Sequence, residues 1–202
     1  MNQHIMISVA LLAASLCGAA QARTGDPLAP LAQCLSQDAF HEKQRDRLPE
    51  TVTAREVATA SGTARVTLAD GYRLLMVRKG SEPLVNLKVE LSAAGQFSTD
   101  RAAIVAQMEA LAASGKAQSK VRLEQRTQDG IDILALNNPL MTQSSGITGL
   151  YTLLDARNGV VATAYMLNQR ADVREYKDDA EYVAIRDHFI AVLGKCMAQQ
   201  AR

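Results

Sequence analysis

Tryptophan is absent from the sequence, which carries only three phenylalanines and five tyrosines. Modules that grip sugar rings rely on exposed aromatic platforms, so carbohydrate binding is disfavoured at the outset. An excess of either charge is also missing: 22 Lys and Arg stand against 21 Asp and Glu. A general nucleic-acid binder would show a basic stripe, and an acidic disordered tail protein would show the reverse. There is no low-complexity tract, internal repeat or linker to divide the chain.

Catalytic signatures are missing as well. No C-x-x-C is present, so a thioredoxin-type dithiol is excluded. Beyond residue 22 the only histidines are His41 and His188, with no H-x-x-x-H spacing, so no metal site is expected. His188 falls at the edge of an apolar helix stripe and reads as a half-buried packing residue. The stretch Gln143-Ser144-Ser145-Gly146-Ile147-Thr148-Gly149 does not match a nucleophile elbow, and neither a P-loop nor a G-x-G-x-x-G occurs. Any two of the acids can still meet in space, so a carboxylate pair for glycoside hydrolysis stays open, but the aromatics to hold a sugar are wanting. The expectation is a non-enzyme without a cofactor.

What is present begins at the N-terminus. Ile5 to Cys17 (IMISVALLAASLC) is almost wholly apolar and leads to Ala20-Gln21-Ala22. A run of about 13 residues is too short to span a bilayer, and small residues at minus three and minus one mark a cleaved secretory signal. The n-region Met1-Asn2-Gln3-His4 lacks the usual basic residue, and Ala14-Ser15-Leu16 before Cys17 is a poor lipobox. The expectation is residues 1–22 as signal peptide and 23–202 as one periplasmic domain, large enough to bury a real core.

Cleavage leaves two cysteines, Cys34 and Cys196, near opposite ends of the chain. In an oxidising compartment an intramolecular bridge is the favoured state, with two buried thiols or a bridge to another chain as alternatives. Closing a loop of about 160 residues is rated at about 5 kcal/mol by chain entropy.

Hydrophobic period sets the elements. Asp26-Pro27 opens a first helix carrying Leu28, Leu31, Cys34 and Leu35 and running to about Gln37. Asp38 to Glu50 is strongly charged and reads as a helix extension or a solvated loop, with His41, Glu42, Lys43 and Arg45 as surface charges. From Thr51 the period becomes two: Thr53 to Ala58 and Ala64 to Ala69 form a hairpin, Asp70-Gly71 a second turn, and Tyr72 to Arg78 a further strand. In Leu84 to Ser92, Val85, Leu87, Val89 and Leu91 face one way and Asn86, Lys88 and Glu90 the other. Ser98 or Thr99 caps a middle helix ending at Gly115, with a stripe of Ile104, Val105, Met108, Leu111 and Ala112. Strands follow over 120–127, 131–136, 147–155 and 160–168, with turns at Asp129-Gly130 and Asn158-Gly159. Val160 to Leu167 (VVATAYML) is apolar on both faces, which suits a central strand covered on both sides. Asp178 caps a closing helix, about Asp179 to Gln199, with Tyr182, Ile185, Phe189, Val192, Leu193 and Cys196 on one face. The sum is an α+β domain: a single, largely antiparallel twisted sheet of about seven to eight strands flanked by N-terminal, middle and C-terminal helices.

This order of elements, with Asp70-Gly71-Tyr72 opening a strand and Glu181-Tyr182…Ile185-Arg186…Phe189 closing the chain, resembles the PsbP-like α-β-α sandwich of small exported bacterial proteins. The likeness covers about Thr53 to Met197 and implies a non-catalytic binding scaffold.

Two surfaces are candidates for recognition. Leu140 and Met141 place two apolar side chains in a polar loop, and Arg170, Arg174 and Tyr176 are residue types favoured at interfaces. The expected partner is another protein, an effector toxin or envelope enzyme, which the chain neutralises as an immunity or inhibitor protein. A homodimer is also open; nucleic acid and membrane spanning are not expected. The alternative function is a small-ligand or lipid carrier with a pocket between sheet and helix.

Overall fold

The computed structural model describes residues 29–36, 40–48, 51–114, 121–137 and 146–200. The expected signal segment, residues 1–22, and Leu140 and Met141 lie outside the described residues. The described chain is α+β: one antiparallel sheet of eight strands with helices near the start, in the middle and at the end. The elements in order are α1 (Ala29–Leu35), β1 (His41–Arg47), β2 (Val52–Thr59), β3 (Gly62–Val77), β4 (Val85–Ser92), α2 (Phe97–Ser114), β5 (Arg122–Gln128), β6 (Ile131–Asn137), β7 (Gly146–Asp155), β8 (Val160–Asn168) and α3 (Asp179–Gln199). The sheet runs β1-β3-β4-β8-β7-β6-β5, and β2 also pairs with β3.

Two local expectations are overturned. The charged segment after α1 is a strand, pairing antiparallel with the second half of β3 from His41↔Val77 to Arg47↔Tyr72. Nearly every β1 side chain is exposed, so no alternation of apolar residues announces it. Its charges suit an edge, because they discourage another chain from adding to the sheet. Asp70-Gly71 is not a turn. β3 runs straight through it over 16 residues, and the register against β4 slips between Asp70 and Tyr72, which is a β-bulge.

That bulge has a consequence for both faces. Side chains alternate along a strand, so one extra residue exchanges the faces beyond it. Before the bulge, Val66 and Leu68 join the cluster formed with Ala103, Ile104 and Met108 of α2. After it, Tyr72, Leu74 and Met76 join the larger cluster with α1 and α3. Without the slip these even-numbered positions would all face α2. One strand thus supplies both cores.

The central strands are two-faced throughout. Ile131, Ile133, Leu153, Ala162 and Ala164 pack on the α3 side, while Leu134, Leu136, Leu154 and Val161 pack on the α2 side. β8 lies between β4 and β7, and its register with β7 is set by the connection at 156–159. There the buried Asp155 accepts from the Arg157 N–H and the Asn158 amide, and Gly159 takes φ 65°, open to glycine without strain. The turn between β5 and β6 uses Asp129 and Gly130, both at positive φ, as a tight hairpin of two antiparallel strands requires.

α3 has the expected bounds and cap. Asp178 accepts from the Glu181 N–H, and Glu181 reaches back to the Lys177 N–H. Its Tyr182, Ile185, Phe189, Leu193 and Cys196 are buried, as are Ile190 and Met197. Phe40 meets Phe189 edge-on at 4.9 Å, and His188, on the exposed side of the helix, stacks on Phe40 at 6.0 Å. α2 begins at Phe97 rather than after Ser98 or Thr99. Asp100 in its first turn is buried and accepts from the Thr67 N–H and the Ser92 hydroxyl, fastening the helix start to β3 and β4.

Cys34 and Cys196 form a disulfide with Cα atoms 5.7 Å apart and a sequence separation of 162. It joins α1 to α3 where Leu31 and Leu35 enter the α3-side core. A helix of seven residues has almost no stability of its own. Cys196→Ser is therefore expected to lower the oxidised protein's stability by about 2–5 kcal/mol, seen as a lower Tm, and to melt like the wild type once both are reduced. Two titratable thiols in the native oxidised protein contradict the bridge.

Candidate functional site

The two faces of the sheet are covered unequally. On the α2 side, the helix packs against β2 and β3 at one flank and β5 and β6 at the other. What it does not cover is the middle of β3, β4, β8 and β7, and there a cleft of about 350 Å³ opens between helix and sheet.

Strand register builds its floor in rows. Arg73 of β3 lies opposite Lys88 of β4, Lys88 opposite Thr163 of β8, and Thr163 opposite Thr152 of β7. The next row is Leu75, Asn86, Tyr165 and Leu150. Arg73, Lys88, Thr163 and Thr152 all line the cleft, as do Asn86, Tyr165 and Leu150. The wall opposite is the apolar edge of α2: Ile104, Met108 and Leu111. Leu111, expected within the buried stripe of α2, is 42% exposed because it stands at this rim rather than in the core.

One end of the floor is charged. Glu90 is 1% exposed, and its carboxylate accepts from Arg55 Nη1 at 2.8 Å and from Lys88 Nζ at 2.7 Å. Burial pushes its pKa up more than any single other influence. The hydrogen bonds and charges of Arg55 and Lys88 together outweigh it and hold the carboxyl below the usual glutamate range. Arg73 also lines the cleft, with Lys88 opposite it on β4 and Asp46 opposite it on β1. Two other hollows differ. One of about 220 Å³ between β5–β7 and α3 balances Glu124 and Asp187 against Arg126 and Arg186. The other, of about 500 Å³ over the disulfide, is a hollow on the outside of α3 lined by Cys34, Asp129, His188 and Lys195.

Of the residues singled out from sequence for recognition, Arg170, Arg174 and Tyr176 do not line the cleft, and Leu140 and Met141 lie outside the described residues. Arg170 is exposed and ion-paired with Glu82 at 3.3 Å and Asp172 at 3.7 Å. Arg174 lies over the Tyr176 ring at 5.3 Å and reaches the Gln169 carbonyl. Tyr176 itself is buried, its hydroxyl between Asn168 and the Gln169 N–H, and so offers no surface to a partner. The segment is a built structure: Glu175 accepts from the Lys79 and Gly80 N–H groups, and Gln169 donates to the Glu82 carbonyl. Among the described residues no group of three or more His, Cys, Asp or Glu is arranged to hold a metal, and no helix is long and apolar enough to cross a membrane.

The sequence carried half of the signal for the cleft. Asn86, Lys88 and Glu90 were legible as the polar face of β4. Missing were the row partners, since Arg73 comes to that face only through the bulge, and the fact that Thr163 and Tyr165 of an apolar-looking strand mark where coverage ends. Comparison with protein-family models, curated proteins and solved structures returned no match.

Glu90→Gln removes the charge that compensates Arg55 and Lys88. Because those side chains are 44% and 23% exposed, solvent absorbs part of the loss. The expected destabilisation at neutral pH is about 1–3 kcal/mol. The folded pKa of Glu90 is depressed, so its contribution is present above the ordinary glutamate range and is lost as pH falls through the lowered value. Wild-type and variant stabilities therefore begin to approach each other as pH falls through the ordinary glutamate range and converge below the lowered folded value in denaturant titrations. A gap that stays constant with pH contradicts the ion cluster.

Proposed function

We propose that this is a non-catalytic protein-binding module of the bacterial periplasm, most concretely an immunity or inhibitor protein that neutralises an antibacterial effector or envelope hydrolase. The observation that carries the reading is the composition of the cleft. Among the described residues its lining contains no Ser, Cys or His, and the Glu90 carboxylate is engaged by two cations rather than poised as a base. What the cleft does offer is a shaped recognition surface on a rigid sheet, with charged, hydrogen-bonding and apolar side chains side by side.

Export to the periplasm fits the Cys34–Cys196 bridge, which reducing cytosol would not sustain. The element order that resembles the PsbP-like sandwich points the same way, to a scaffold for binding. The second reading, a small-ligand carrier, is favoured by the volume of the cleft, which lies within the range of small-molecule sites.

The test is biological and direct. The oxidised protein, immobilised, is expected to capture a toxin or hydrolase from envelope extracts, and deletion of its gene is expected to raise the cell's sensitivity to that protein. No captured partner together with unchanged sensitivity removes the reading. A small molecule retained through native mass spectrometry of freshly purified protein establishes the carrier instead.

A further inference from the structure

A disulfide sealed inside a core is inert to exchange, because no thiolate reaches either sulfur. The two sulfurs of the Cys34–Cys196 bridge are not equally sealed. Cys196 is 1% exposed and belongs to the α3-side core. Cys34 is partly exposed, and its Sγ lies 3.6 Å from Oε1 of the exposed Gln199. Both cysteines line the hollow of about 500 Å³ on the outside of α3. The bridge thus has an approach from solvent, on the Cys34 side.

What the bridge fastens has little else to hold it. α1 has seven residues, too few for a helix to persist alone, and its main packing partner is α3. Its buried side chains are Leu31, Ala32 and Leu35. These anchors stand against the entropy of ordering the whole segment, which the cross-link offsets by keeping it beside α3. The next anchor along the chain is Phe40, buried and edge-on to Phe189. None of the sheet's pairings involves α1.

We infer that the Cys34–Cys196 bridge is a site of thiol–disulfide exchange, attacked at Cys34, and that opening it releases α1 from α3 while the sheet stays folded. The reductant is a dithiol of the kind a C-x-x-C protein carries. One of its thiolates bonds to Cys34 Sγ; the Cys34–Cys196 bond breaks, and its electron pair leaves on Cys196, which takes a proton from water. The second thiolate then attacks the reductant's own sulfur in the mixed disulfide, and Cys34 leaves as a thiolate that is protonated in turn. Two electrons pass from the dithiol, which ends as a disulfide, to the bridge, which ends as two thiols. With α1 released, the flank of α3 at Cys196 loses its cover, so the oxidised and reduced proteins present different surfaces. The clasp is independent of what the cleft binds.

The test uses the full oxidised protein. A C-x-x-C oxidoreductase whose second cysteine is replaced by serine traps the mixed disulfide, N-ethylmaleimide blocks the thiol set free, and peptide mapping locates both. The trap is expected mostly on Cys34, with the maleimide on Cys196. Dithiothreitol is expected to open the bridge without denaturant and to abolish amide-exchange protection over 29–35, while β4 and β8 keep theirs. Four results overturn the inference: a trap found on Cys196 at least as often as on Cys34, a bridge that opens only in denaturant, protection of α1 that survives reduction, or protection of β4 and β8 lost together with that of α1.

Discussion

A one-residue slip in β3 sets the relation between the two faces of this protein. Strand side chains alternate strictly, so a straight strand gives all its even positions to one face. By inserting one residue between Asp70 and Tyr72, β3 sends Val66 and Leu68 to the α2 core and Leu74 and Met76 to the α1–α3 core. The same slip places Arg73 beside Lys88 on the α2 side, beyond the part of that face the helix covers. Core and cleft therefore share one geometric origin. A shift that moved Arg73 off the floor would also withdraw Leu74 from its core.

The two sides divide their roles. The α1–α3 side carries the larger core, with residues from Leu31 to Met197, and the disulfide binds the short first helix to the last. The α2 side is closed only where Asp100 pins the helix start and where Leu134, Leu136, Leu154 and Val161 meet it. Rigid strands under a partly open face hold side chains in fixed rows, which is the arrangement recognition requires.

How much of this was legible follows from which physical signal each part leaves. α3, β4 to β8 and their tight turns carry strong periodicity or turn residues such as Asn158-Gly159, and their bounds shift by only a residue or two. β1 left no such signal, because a strand exposed at an edge has no buried face to impose alternation. The bulge was read as a turn because Asp-Gly suits both, and only pairing across to β4 separates them. Tyr176 is of a type common at interfaces, yet here its hydroxyl closes an internal network with Asn168. Composition describes what a residue is able to do, whereas burial decides which of those uses remains. The cleft was the least legible part, since its rows join residues from four strands that only register brings together.

The decisive measurement is the unfolding free energy of a variant lacking Gly71, the residue that the slip adds to β3. Restoring strict alternation turns Leu74 and Met76 away from the α1–α3 core, so the variant is predicted to lose about 4 kcal/mol or more, or not to fold. A variant as stable as wild type would show that the slip does not set the two faces and would contradict the account.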